Sequence, residues 1–162
     1  MSDKTKLLAI DDEPWNLEIL QHYLQDDYEL ILANNGEEGL ATLSKQDDIE
    51  MVLLDVSMPD MDGYEVCKKI RENSLWAQIP VVFISARGTV EERMQGYKSG
   101  GDDYLVKPFE CDELLAKLQI INKYKDEKKD LQDNYKMASD VAMEAMTNSQ
   151  EIGLALEFSK ET

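Results

Sequence analysis

The sequence predicts an α/β fold: a doubly wound, five-stranded parallel sheet with a C-terminal helical extension. Three observations predict it. Short apolar runs alternate with segments whose apolar residues recur at helical spacing, five times over. The runs are mostly continuous rather than alternating polar and apolar, which is the pattern of strands buried on both faces. The connections are short, so consecutive elements form β-α units that cover the sheet with helices on both sides.

Leu7 to Ile10 is the first run, and it stops abruptly at Asp11-Asp12-Glu13, as a buried strand does when its C-terminal end meets solvent. Pro14 suits a first helical turn, and Leu17, Leu20, Tyr23 and Leu24 carry the helical period to about Asp26. Tyr28 to Ala33 is the second strand; Asn34-Asn35-Gly36 breaks it before a helix containing Leu40 and Leu43. Met51 to Leu54 is the third run and ends on Asp55. A turn over Pro59 to Gly63 leads into a helix carrying Val66, Cys67 and Ile70. Pro80 to Ile84 ends at Ser85-Ala86, and a polar helix from Thr89 to about Lys98 is closed by Gly100-Gly101. Tyr104 to Val106 ends at Lys107-Pro108, and Cys111 begins another helix.

The 162 residues suffice for one core plus an appendage, but not for two full domains. Seventeen Lys and Arg stand against 34 Asp and Glu, a net charge of −17, which argues against nucleic acid or an anionic membrane as a direct partner. Cations and basic protein partners fit better. Cys67 and Cys111 have no ligand-like spacing to each other or to the lone His22, so they read as reduced core residues rather than a zinc site or a disulfide. A polar N-terminus followed by only four apolar residues is too short for a signal peptide or a membrane span, so the expectation is a cytoplasmic protein.

In doubly wound sheets ligands bind beyond the carboxyl ends of the strands, where the strand order reverses. The runs are therefore read by their last residues: Asp11 and Asp12, Asp55, Ser85 and Lys107. Clustered aspartates without histidine or cysteine make a hard oxygen site of the kind Mg²⁺ prefers. A lysine and a hydroxyl beside it suit phosphoryl chemistry, because cations and donors share the charge on the transferred group. There is no GxxxxGK[ST] phosphate loop and no histidine placed as a general base, whereas a carboxylate can itself be the nucleophile.

These residues carry a resemblance. Ile10-Asp11-Asp12-Glu13-Pro14, then Leu54 to Pro59 with Asp62-Gly63, then Ile84-Ser85-Ala86 and Lys107-Pro108-Phe109, in this order, resemble the receiver domains of two-component response regulators over about Lys6 to Tyr124. The resemblance implies a flavodoxin-like receiver fold over residues 1–125. It implies that Asp55 accepts a phosphoryl group from a histidine kinase or phosphotransfer protein. Asp11, Asp12 and Asp55, with the backbone carbonyl of Ser57, would hold Mg²⁺, and Lys107 would pair with the phosphoryl oxygens. Ser85 would turn toward the phosphoryl group and Tyr104 would swing inward with it, tilting the face of the fourth helix, fifth strand and fifth helix as a population shift. The proline matching Pro108 usually follows a cis peptide bond. Ser57 and Arg87 occupy variable positions flanking the path of the attacking water and would set the acyl phosphate lifetime. Such a protein is a phosphoacceptor with self-catalysed phosphorylation and dephosphorylation, not a classical enzyme.

Other residues are assigned lesser roles. Trp15 reads as a packed helix residue or, preferably, an aromatic at the mouth of the site. His22 reads as partly exposed, and Met58 carries no chemistry. Residues 126–162 read as a helical extension in which Leu131, Tyr135, Ala138, Ala142, Ala145, Ser149, Ile152 and Leu156 alternate by four and three, a heptad seam. Dimerisation through this seam is the expectation, against a helix folded back on its own domain; the chain reads either as a stand-alone receiver acting through protein contacts or as the front of a longer one, and the helical lead-out favours the second.

Two rivals complete the reading. An aspartate-nucleophile phosphatase of the haloacid-dehalogenase type wants a second aspartate two residues on, where this chain has Ser57, and a cap insertion that is absent. A receiver-shaped interaction module without phosphotransfer would be expected to lose acidic residues that are all present here.

Overall fold

A computed structural model describes residues 4–127, 131, 134–139 and 141. Nine elements alternate in chain order: β1 (Thr5–Ile10), α1 (Pro14–Leu24), β2 (Tyr28–Ala33), α2 (Gly36–Lys45), β3 (Met51–Asp55), α3 (Gly63–Glu72), β4 (Val81–Ser85), α4 (Val90–Lys98) and β5 (Asp103–Val106). A further helix, α5, runs over 111–127. The five strands form one parallel sheet in the order β2-β1-β3-β4-β5, the flavodoxin-like arrangement. The chain leaves β1 first to one side and then to the other, so the order reverses between β1 and β3.

Alternation along the central strands divides the core. Leu8, Ile10, Val52, Leu54, Val81 and Phe83 pack on one face with Leu43 of α2 and Val66, Cys67 and Ile70 of α3. Leu7, Ala9, Met51, Leu53, Val82 and Ile84 are equally buried and point the other way, where Leu17, Leu20 and Leu24 of α1 and Leu114 and Leu118 of α5 supply the cover. Three helices begin on side-chain caps: Asn35, Asp62 and Thr89 accept from the amides of Glu38, Glu65 and Glu92. α3 also begins hard against β3, since a Cβ on Gly63 would collide with the Asp55 carbonyl.

Boundaries moved little from expectation. β1 starts at Thr5 because Thr5 and Lys6 pair with Tyr28 and Glu29 despite their polarity. α1 ends at Leu24, two residues before Asp26. Cys67 is a core residue as expected, whereas Cys111 is only half-buried, its thiol 3.7 Å from the Tyr23 carbonyl.

The chain divides into two units, Met1–Leu118 and Gln119–Thr162. In the second, the described residues are helical. Of the heptad positions, Leu131, Tyr135 and Ala138 are among them; Ala142, Ala145, Ser149, Ile152 and Leu156 lie outside the described residues.

Candidate functional site

The parallel register brings the strand ends to one edge of the sheet. Ile10 pairs with Leu54, Asp55 with Ile84 and Ser85 with Val106, so Asp11, Asp55, Ser85 and Lys107 emerge from neighbouring strands in turn. Backbone bonds prolong the ladders beyond the strands: the amides of Asp11, Val56 and Lys107 donate to the carbonyls of Ala33, Ile84 and Ser85. The loops that carry the polar residues are therefore anchored by the sheet itself.

Asp11, Asp12 and Asp55 each offer a carboxylate oxygen within 4.8 Å of the other two. Asp11 and Asp55 are buried, at 2% and 6% exposure, while Asp12 is exposed. Asp11 is fixed by accepting from the Glu13 amide at 2.9 Å. Lys107 Nζ reaches Asp11 at 3.4 Å and Asp55 at 3.3 Å, a bridge between the two buried carboxylates. The Lys107–Pro108 peptide bond is cis.

Burial pushes the Asp55 carboxyl up to about 6; the Asp11 charge adds to the shift and Lys107 opposes it. One ammonium does not neutralise three carboxylates. The donor set is oxygen only, suits a small hard cation, and carries the excess charge that such a cation would relieve.

Ser85 is buried, and its hydroxyl accepts from the Arg87 amide at 3.1 Å. Tyr104 is buried to 5% exposure, already in the inward seat that the resemblance ties to phosphorylation, and its hydroxyl donates to the Arg87 carbonyl at 2.8 Å. Both therefore grip the loop between β4 and α4. Ser57 and Arg87 are exposed, and Arg87 lies 3.7 Å from Glu92. Trp15 is 66% exposed, which removes the packed alternative, and His22 is exposed.

Sequence reasoning did not find a cavity of about 260 Å³ beside the carboxylates, where Asn16, Leu20 and Tyr23 of α1 face Lys107, Pro108 and Phe109. Its walls come from segments about ninety residues apart, so no local pattern announces it. Tyr64, second in α3, was also passed over; its hydroxyl donates to the Glu92 carbonyl at 3.1 Å.

Comparison with known proteins defines the class. The response regulator receiver domain family matches residues 7–119, and the chain belongs to that family. Among curated proteins it is similar to the response regulator Rre1 of Synechocystis, 41% identical over 118 residues that make up 72% of this chain and 51% of that protein. It is also similar to a probable transcriptional regulator, ycf27, of Pyropia yezoensis, 40% identical over 121 residues, 74% of this chain and 48% of the relative. The chain thus spans about half the length of the curated relatives it matches. Among solved structures, the Vibrio cholerae chemotaxis protein CheY4 aligns with a TM-score of 0.69 at 34% identity, over 72% of this chain and 97% of that one.

Proposed function

We propose that this receiver accepts a phosphoryl group on Asp55 from the phosphohistidine of a histidine kinase or phosphotransfer protein, in a Mg²⁺-dependent reaction. The observation that carries the reading is the buried Asp55 held 3.3 Å from Lys107 within a cluster of three carboxylates. An Asp55 oxygen bonds to phosphorus as the P–N bond of phosphohistidine breaks, the bonding electron pair returning to the imidazole. Asp11, Asp12 and Asp55, with the Ser57 carbonyl, would hold Mg²⁺, which supplies charge neutralisation to the phosphoryl oxygens. Lys107 is freed from its bridge to pair with the same oxygens. Ser85 turns toward the added charge, and the loop it shares with Tyr104 follows. Ser57 and Arg87 flank the attacking water and set how long the acyl phosphate lasts.

The receiver occupies residues 1–125. In this reading residues 126–162 transmit the switch to a second copy or to an output domain. Leu131 and Tyr135, on the heptad seam, are 70% and 75% exposed, which supports a role in pairing. The relatives named as transcriptional regulators are about twice as long, which supports an output domain as the recipient. The net charge of −17 keeps DNA contact out of this chain. A cytoplasmic location agrees with the absence, among the described residues, of any helix long and apolar enough to cross a membrane.

The test is intact mass after incubation with Mg²⁺ and acetyl phosphate. Wild type gains one phosphoryl group, with acetate leaving, and Asp55→Asn gains none. Equal labelling of the two proteins, or no gain in wild type together with no Trp15 fluorescence response to Mg²⁺ and beryllofluoride, overturns the assignment.

A further inference from the structure

α4 is held in place by very little of its own. Gly96 is its only buried residue, while Val90, Met94 and Tyr97 face solvent. Beneath it lies an aromatic stack. A Cβ at Gly96 would stand 3.1 Å from carbons of both the Phe83 and the Tyr104 rings, so the helix backbone rests directly on them. Tyr64 extends the stack, its ring centroid 5.3 Å from that of Phe83, which lies 6.1 Å from that of Tyr104.

Two hydroxyls leave this stack for the same backbone segment. Tyr104 donates to the Arg87 carbonyl ahead of α4, and Tyr64 donates to the Glu92 carbonyl within it, at 2.8 and 3.1 Å. Thr89 caps the helix between them, accepting from the Glu92 amide. The loop and the first turn of α4 are therefore pinned from β5 on one side and from α3 on the other. Burial, with Tyr104 beside it, holds the Tyr64 phenol well above the ordinary range, so its hydroxyl stays a donor at any working pH.

We propose that Tyr64 is a positioning residue of the switch: its hydroxyl anchors α4 to α3 and so sets how readily Tyr104 keeps its inward seat. A helix with so little burial sits at the low end of local stability, where one hydrogen bond is a large share of what holds it. The hydroxyl of Tyr64 thus biases the equilibrium on which phosphorylation acts. The inference rests on the reading of Tyr104 as the switch aromatic, and it places on α3, directly after the phosphoacceptor loop, a second tyrosine that tunes the same output.

The experiment uses the full-length chain, wild type and Tyr64→Phe, with 3-fluorotyrosine incorporated and the Tyr104 resonance assigned by Tyr104→Phe. Tyr64→Phe keeps the ring against Phe83 and removes only the hydroxyl. Without phosphodonor, the outward Tyr104 population and the exchange rates of the amides of residues 93–97 rise about three- to tenfold in Tyr64→Phe, the range one hydrogen bond commands. Exchange in β1 and β3, which requires global unfolding, rises by no more than the same factor, so the Tyr104 population within the folded protein is the readout that a merely general loss of stability would not move. Acetyl phosphate labelling of Asp55 is measured in parallel and reports on the proposed function alone. Local loosening with labelling intact supports the anchor. An unchanged Tyr104 signal and unchanged exchange overturn it, whatever the labelling shows. Loosening in a protein that takes no label upholds the anchor and removes the phosphoryl input instead.

Discussion

Asp55 is a carboxylate placed where it is uncomfortable when ionised. Its folded-state pKa of about 6 lies above the ordinary 3.8, so between those values the folded chain binds more protons than the unfolded one. Stability therefore falls as pH rises from about 4 to about 6, and the full penalty is present above that. It amounts to roughly 2–3 kcal/mol at neutral pH. Asp55→Asn is expected to be more stable than wild type by about that amount in urea unfolding at pH 7.5 with EDTA, and to show little difference at pH 4. Adding Mg²⁺ should narrow the gap at pH 7.5. An Asn variant no more stable than wild type in EDTA would mean that Lys107 already compensates the buried charge in full. The proposed phosphoacceptor is thus a residue that the fold maintains at a cost.

At the scale of elements, the junction of β3 and α3 decides how accurately Asp55 is held. Asp62 caps α3 by accepting from the Glu65 amide at 2.9 Å, and Gly63 lets the helix begin against the Asp55 carbonyl. Losing the cap by Asp62→Ala should cost about 1 kcal/mol, as at other helix N-termini. Gly63→Ala meets backbone rather than a flexible side chain, so α3 and the loop after Asp55 must separate, at about 1–3 kcal/mol. Denaturant midpoints of the two variants should therefore fall in that order. The acetyl phosphate labelling rate should drop for Gly63→Ala and hold for Asp62→Ala. A Gly63→Ala protein as fast and as stable as wild type would show that the junction has slack. α4 is the opposite case, an element with one buried residue whose place depends on hydrogen bonds and ring faces below it.

For the whole molecule, the proposed rearrangement at one edge of the sheet has to leave the first unit. The extension is the candidate route. Leu131 and Tyr135 expose large apolar surfaces four residues apart, the spacing of one helix face. If a second copy covers them, Leu131→Asp and Tyr135→Asp should shift the full chain from dimer to monomer in sedimentation velocity, without changing the labelling of Asp55. A wild-type chain that stays monomeric at every concentration, with and without beryllofluoride, would remove dimerisation as the output.

Much of this was legible from the sequence because a parallel sheet writes itself locally. Buried strands are short apolar runs, each ends where its backbone reaches solvent, and the last residues Asp11, Asp55, Ser85 and Lys107 name the site before any coordinate is known. Strand order and register follow from pairing between distant segments. Only they bring Lys107 to 3.3 Å from Asp55, fifty-two positions earlier, and open the cavity between α1 and the segment after β5. Tyr64 shows the limit most clearly. In the sequence it is an aromatic on an amphipathic helix, indistinguishable from core. Its hydroxyl acquires a role only when α4 crosses above it and offers a carbonyl, because hydrogen-bond partners across elements are set by packing and leave no periodicity in the chain.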